Sequence, residues 1–205
     1  MQNSKEKIIE AAVEVFFEKG FDAASMREIA EKAGLTKPMI YYHFKNKEAL
    51  YVALLEENLE LFYQGLESLL TKDSDPQTTL SAIIDHFEQT FAKDARVYNI
   101  IQREISGNGH YVALLTEKYF IKVSQRIAGF LQQGQQQGFI RPDLDAQLAE
   151  VSLVSILLLY FSQENVLQQM GRSMNTGVYE RSTFKNHVFK LFTVGMPTTE
   201  TGELK

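Results

Sequence analysis

The chain has 205 residues, 44% of them hydrophobic, and 21 Lys+Arg against 26 Asp+Glu give it a formal net charge of −5. That length allows one large domain or two small ones with a real core, and it speaks against global disorder. With no Cys and only four His, disulfides, thiol catalysis, zinc–thiolate sites and a His-rich metal site drop out, and the acidic balance excludes coating nucleic acid by bulk charge.

The periodicity is helical nearly everywhere, with Pro38, Pro76, Pro142 and Pro197 as punctuation. The residues predict a first helix over Ser4–Lys19, ended by Gly20, a short second over Ser25–Ala33 and a short third over Thr36–Phe44. A long fourth follows over Lys47–Leu70, ended by the polar linker Thr71–Pro76. Then come Gln77–Ala92, Ala95–Ile105 and Tyr111–Gln133, the last two separated by Gly107-Asn108-Gly109. Gly134, Gly138 and Pro142 break the chain again before Asp145–Met170 and Glu180–Val194, and Gly195–Lys205 reads as a frayed tail. Met1–Glu10 is polar and lacks the apolar stretch of a signal peptide. The most apolar run, Val151–Phe161, falls well short of the roughly 20 residues of a membrane span. The expected location is the cytoplasm, with no membrane partner.

Residues 25–44 carry the most information. Ser25-Met26-Arg27-Glu28 has the form of a capping box, in which the Ser hydroxyl and the Glu carboxylate each take an orphan helix-end N–H. Ala30 followed four residues later by Gly34 suits a helix-turn-helix: a small residue lets two helices cross closely, and a Gly past the helix end turns the chain through the left-handed region. Leu35 and Ile40 close a small core, Thr36 is placed to cap the third helix, and Pro38 sits in its first turn. Arg27, Lys32, Lys37, Lys45 and Lys47 against Glu28 and Glu31 make residues 25–47 a locally basic face of +3 on an acidic protein. Such a face suits a recognition helix in a DNA major groove.

The run from Ile9 through Phe16, Gly20-Phe21, Ser25-Met26-Arg27-Glu28-Ile29-Ala30, Ala33-Gly34-Leu35 and Ile40-Tyr41-Tyr42-His43-Phe44 to Lys47 and Leu50 resembles the N-terminal domain of the tetracycline-repressor (TetR) family. The resemblance covers about the first fifty residues, and the remainder resembles the family only as a helical body of suitable length. It implies an all-α chain with a three-helix DNA-binding domain over 1–46 and a helical effector-binding and dimerisation domain over 47–205. It implies a homodimeric transcriptional regulator, usually a repressor, on a palindromic double-stranded operator, released by a small-molecule effector. The positions similar to the family's DNA contacts are Arg27, Thr36, Lys37, Pro38, Met39, Tyr41, Tyr42, His43 and Lys47. In physical terms, Thr36, Tyr41, Tyr42, His43 and Lys47 are expected on phosphates and Lys37 on base edges. Pro38 and Met39 are expected against thymine methyls, and Arg27 on a phosphate or in the groove.

In the body, helical wheels place Glu104 inside the apolar stripe Val97, Ile100, Ile101, Ile105, and Arg126 inside the stripe Val112, Leu115, Tyr119, Val123, Ile127, Phe130. Either both charges line a ligand cavity or pair within it, or one or both sit at a helix edge and reach water. With Phe62, Phe87, Phe91, Tyr98 and Tyr119 they form the expected effector pocket, which points to a hydrophobic or amphipathic small molecule. Val151–Phe161 is apolar all round, and Phe184, Val188, Leu191 and Phe192 give the last helix a second apolar face. Residues 145–170 and 180–194 are therefore expected to build a homodimer interface. No phosphate loop, catalytic triad order or metal spacing points to an enzyme, and no cofactor is expected. The alternatives are a helical interaction protein whose helix-turn-helix does not read DNA, or an activator of the same fold.

Overall fold

A computed structural model describes residues 4–70, 75–107 and 109–193. The frayed tail expected at Gly195–Lys205, most of the Thr71–Pro76 linker and Asn108 lie outside them. Helix α1 (Ser4–Ala23) buries Ile8, Ala11, Ala12, Val15 and Phe16 along one stripe, and Gly20, at φ 77°, interrupts it where the sequence places its end. α2 (Met26–Ala33) starts on the expected capping box: Ser25 Oγ accepts the Glu28 N–H, and Glu28 Oε2 accepts the Ser25 N–H at 3.1 Å. It stops at Gly34, whose φ of 65° only glycine adopts without strain, while the Leu35 N–H closes onto the Ala30 carbonyl at 3.0 Å.

Thr36 departs from expectation. It precedes α3 (Lys37–His43), but its side chain makes no cap hydrogen bond. A cap hydroxyl reaches the N–H of the second or third helical residue. Here the second is Pro38, which has none, and the Met39 N–H already goes to the Thr36 carbonyl at 2.9 Å. The hydroxyl is left for another partner.

α4 (Lys47–Leu69) is followed by α5 (Pro76–Lys93), whose stripe Leu80, Ile83, Ile84, Phe87 is buried as expected. α6 (Ala95–Ser106) is capped by Asp94 and buries Val97, Ile100 and Glu104. The helix expected over Tyr111–Gln133 is instead α7 (Val112–Leu115), a π-helical turn over Thr116–Phe120, and α8 (Ile121–Gln136). Beyond the π turn Val123, Ile127 and Phe130 keep the inward side, and Arg126, one position before Ile127, is exposed at the edge of that stripe rather than within it. The helix expected over Asp145–Met170 is α9 (Ala146–Ser162) and α10 (Glu164–Ser173), bent by 69°. No proline or glycine marks the bend. It is set at long range, by Glu164 accepting from Arg181 at 2.6 Å and by Tyr160 donating to the Tyr179 carbonyl at 2.8 Å. α11 (Arg181–Phe192) completes the chain. Of its apolar residues, Val188 and Phe192 are buried in their own core and Leu191 is exposed.

The helices form two compact units: Met1–Gly65 with Thr90–Ile121, and Leu66–Gln89 with Lys122–Lys205. They cut across the division at residues 46 and 47, because the start of α4 and all of α6 pack with the first three helices. In the first unit Ile8, Phe16, Ile29, Ile40, Leu50, Leu54 and Leu115 share one core with Tyr51 and Tyr119. In the second, Leu80, Ile83, Phe87, Ile127, Leu131, Leu153, Leu157 and Val188 are buried. Among the described residues there is no strand beyond one isolated bridge, Ile140 with Thr193, and no single helix long and apolar enough to cross a membrane.

Replacing Ser25 with Ala removes the α2 cap and is expected to cost about 1 kcal/mol, lowering Tm by about 2–4 °C. Thr36→Ala is expected to leave Tm unchanged. Circular dichroism melts of both variants check the pair.

Candidate functional site

A seven-residue helix that buries one side chain is an odd structural element, and α3 is that helix: Ile40 is its only buried residue. Ile40 is 0% exposed and anchors α3 to α2, which leaves the rest of the helix facing water. Tyr42 is 86% exposed and Tyr41 44%, and Lys37, Pro38 and Met39 lie on the exposed surface with them. Two large aromatic rings left in water on one short helix have no folding role. The Lys37 ammonium stands 5.7 Å from the Tyr41 ring centre, one helical turn away, and the Tyr42 and His43 rings meet edge-on at 5.2 Å. Thr36 and Arg27 are exposed beside this surface, and His43 is half-buried at its end. Arg27 Nε donates to Glu31 at 2.9 Å, an exposed pair worth little in water.

Lys47 is elsewhere. The sequence reading sends it to a phosphate, but its ammonium donates to the carbonyls of Phe21 at 2.7 Å, Asp22 at 3.1 Å and Ala24 at 3.0 Å. It also lies 4.5 Å from the Phe21 ring centre. All three of its N–H bonds are engaged, on the Phe21 and Asp22 carbonyls at the end of α1, where the helix dipole is negative, and on the Ala24 carbonyl just past it. The structural reason is position: as the first residue of α4, Lys47 faces back onto α1 rather than out beside α3.

The expected effector residues are distributed over both units. In the first, Phe91 and Tyr98 pack with ring centres 4.0 Å apart, Tyr119 is buried on the π turn, and Phe62 is half-buried on α4. Glu104 is 7% exposed; it accepts the Tyr111 backbone N–H at 2.6 Å and the Tyr51 hydroxyl at 3.3 Å. Burial, then the nearby Glu104 charge, push the Tyr51 phenol well above its usual range, so it stays a donor. In the second unit Phe87 is buried, whereas Arg126 is exposed and holds Glu67 and the Leu70 carbonyl. Glu104 and Arg126 thus have separate partners: one is a buried charge and the other a helix-edge ion pair. A polar cleft of about 310 Å³ at the end of α10, lined by Gln168, Arg172, Thr176 and Tyr179 among others, contains none of the expected residues. Tyr51 escaped the sequence reading; its only signal was an aromatic one turn after Lys47.

Comparison with known proteins gives this geometry a context. Residues 8–54 match the family model of bacterial regulatory proteins of the tetR family, and residues 76–189 match that of the tetracyclin repressor-like C-terminal domain. The fatty acid metabolism regulator protein of Bacillus subtilis is 26% identical over 190 residues, covering 93% of this chain and 94% of that protein. The HTH-type transcriptional activator FasR of Mycolicibacterium smegmatis is 35% identical over 95 residues, 46% of this chain and 43% of FasR. AibR, solved in complex with isovaleryl coenzyme A and operator DNA, superposes with a TM-score of 0.66 at 25% identity over 78% of this chain and 86% of that one.

The three carbonyl bonds make Lys47 a brace. Lys47→Ala is expected to destabilise the chain by about 2 kcal/mol or more, read from the midpoint of urea unfolding. A Lys47 standing free in water would leave that midpoint unmoved.

Proposed function

The chain belongs to the tetR family of bacterial regulatory proteins, and within that family we propose that it is a cytoplasmic, homodimeric repressor that leaves a palindromic operator when an apolar or amphipathic small molecule binds. The observation that carries the DNA-reading half is α3, a helix with one buried residue and Lys37, Met39, Tyr41 and Tyr42 in water. In the major groove, Lys37 reaches guanine acceptors, while the Tyr41 and Tyr42 hydroxyls, His43 and the uncapped Thr36 hydroxyl hold phosphates. Pro38 and Met39 lie against thymine methyls. Arg27 exchanges its exposed Glu31 partner for a phosphate. Lys47 positions α3 by holding α1 to α4. Residues 1–46 do the reading, and 47–205 dimerise and take the effector.

Dimerisation is proposed through α9. Leu148, Val151 and Leu159 are 68%, 54% and 65% exposed along one side of that helix, with Ser152 and Ser155 between them. An apolar stripe of this kind on a helix whose other side is core calls for a covering surface, and a second copy of the same stripe supplies one by two-fold symmetry. Leu191, exposed on α11, is the proposed contribution of that helix.

For the effector, an acyl thioester of coenzyme A is the class to test first. The full-length likeness to a fatty acid metabolism regulator and the isovaleryl coenzyme A of the AibR complex favour it. So does the aromatic content of the expected residues that lie in the first unit, Phe62, Phe91, Tyr98 and Tyr119, of which Tyr119 is buried.

Selection of bound DNA from a random pool is expected to return a palindrome, and acyl coenzyme A thioesters of increasing chain length are expected to release it. Lys37→Ala should relax preference at one or two base positions. Lys47→Ala should leave the dependence of log K on log salt unchanged, where loss of a phosphate contact would flatten it by about 0.9. Recovery of no enriched site would overturn the reading.

Leu159→Glu is expected to give a monomer by light scattering and to abolish tight operator binding, because half-sites are then bound singly. A variant that remains dimeric would remove α9 from the interface.

A further inference from the structure

One arginine of the second unit stands apart from the rest. Arg27, Arg96, Arg126, Arg141 and Arg181 each hold a carboxylate, and Arg103 donates to the Phe17 carbonyl at 2.7 Å. Among the described residues, Arg172 is the arginine whose side chain has no partner. It lies in the last turn of α10 and lines the polar cleft of about 310 Å³ together with Gln168, Asn175, Thr176, Tyr179 and Glu180. Glu180 precedes α11 without making a side-chain cap bond, and its carboxylate holds no cation among the described residues. Two opposite charges thus line one cleft without neutralising each other. The backbone around them is fixed by bonds of its own. Asn175, at φ 51°, turns the chain after α10, and the Thr176 N–H closes onto the Gly171 carbonyl at 2.9 Å. Gly171 permits this close return: a Cβ there would stand 3.1 Å from the Thr176 carbonyl oxygen. The Glu180 N–H reaches the Gly177 carbonyl at 3.0 Å. Tyr160 pins the far end by donating to the Tyr179 carbonyl at 2.8 Å, and Arg181 holds Glu164 at 2.6 Å and Glu88 at 3.0 Å. Gln168 donates to Glu164 at 3.2 Å, which leaves its carbonyl oxygen, and the Thr176 hydroxyl accepts the Val178 N–H at 3.2 Å, which leaves its proton.

We propose that this cleft is a second ligand site, made of none of the expected effector residues, and that it takes a small zwitterion: a free α-amino acid, with one carboxylate and one ammonium. The planar guanidinium of Arg172 matches a carboxylate through two parallel hydrogen bonds. Glu180 takes the ammonium. The Asn175 amide, the Gln168 carbonyl oxygen and the Thr176 hydroxyl serve the polar atoms between the two ends. The volume lies at the low end of the roughly 300–1,000 Å³ of small-molecule clefts, which suits a ligand of this size. A phosphate ester fits less well, because its second negative charge meets the Glu180 carboxylate. A long acyl chain fits worse still, because most of the lining is polar. The pinned backbone holds the cleft in shape before the ligand arrives, so little ordering is needed on binding. Binding here needs neither operator nor effector, and it stands or falls apart from the repressor reading.

The test uses the full-length protein without DNA. The common α-amino acids and inorganic phosphate are screened first by Tm, because a ligand that binds only the folded chain raises it. Kd is then measured by isothermal titration calorimetry. At least one amino acid is expected to bind. Its N-acetyl derivative, which lacks the ammonium, and its amide, which lacks the carboxylate, should each bind about 10-fold more weakly, the loss of one charged hydrogen bond. Arg172→Gln and Glu180→Gln should each weaken the parent amino acid by about the same factor. Neither side chain holds another group among the described residues, so the Tm of the ligand-free variants should match the parent's. Absence of any Tm shift with the amino acids overturns the proposal, as does phosphate bound as tightly as the best of them. Amino-acid binding that survives both substitutions places the site elsewhere and overturns it too. A homodimer weakened by Arg172→Gln, with no amino acid bound by the parent, would give the cleft to a second copy of the chain and equally overturn it.

Discussion

One ammonium group holds the frame of the first unit. The last carbonyls of a helix have no partners within it, and Gly20 turns α1 aside just before they would be covered by a further turn. Lys47 supplies the donors from outside, bonding Phe21, Asp22 and Ala24 across more than twenty residues of chain. At the start of α4 a cation is unfavourable to its own helix dipole; the negative end of α1 offsets this. The bond closes residues 25–46 into a loop tied at both ends. Inside that loop α3 needs only Ile40 for anchorage, and the rest of its surface stays free. With α2 packed on α1 and Phe44 buried just past α3, the segment is held on both sides, and Tyr41 and Tyr42 stay exposed.

What the residues made readable in this segment was local chemistry. The Ser25–Glu28 box and the turn at Gly34 depend on neighbours three or four positions apart and appear where the pattern puts them. Thr36 shows the limit of such reading, because the same residue type before a helix caps nothing when Pro38 removes one donor and the backbone takes the next. Lys47 shows another limit. A lysine beside a recognition helix looks like a phosphate ligand until the fold shows where its side chain points.

In the body the same wheel produced opposite outcomes for two charges. α6 is regular from end to end, so Glu104 falls in the buried stripe as drawn, and its backbone and phenol donors come from residues the wheel does not include. In α8 the stripe Val123, Ile127, Phe130 is kept, but Arg126 stands at its exposed edge, held by Glu67. The bend after Ser162 belongs with the π turn: it arises from Arg181 and Tyr179, distant in sequence, acting on Glu164 and Tyr160. Element type was readable over the described residues, whereas the π turn and the direction of the chain after Ser162 were not.

The local charge of +3 is also reshaped by the fold. Of the five cations in residues 25–47, Lys47 is turned inward, Lys32 pairs with Glu14, and Arg27 pairs with Glu31. Lys37 and Lys45 stand exposed on or beside α3. The positive surface is therefore smaller than the count implies, and the residues beyond position 50 add thirteen basic against eighteen acidic side chains. Non-specific adhesion scales with the number of phosphates neutralised, so a chain built this way is held to random DNA by few cations. In the proposed reading, choice of site falls to Lys37, Pro38 and Met39 against base edges, while the tyrosine hydroxyls, His43 and Thr36 fix the register on phosphates. Under that reading, so few base contacts discriminate only if α3 is rigidly presented, a demand that the interior ties of α4, through Lys47 to α1 and through Tyr51 to Glu104, help to meet.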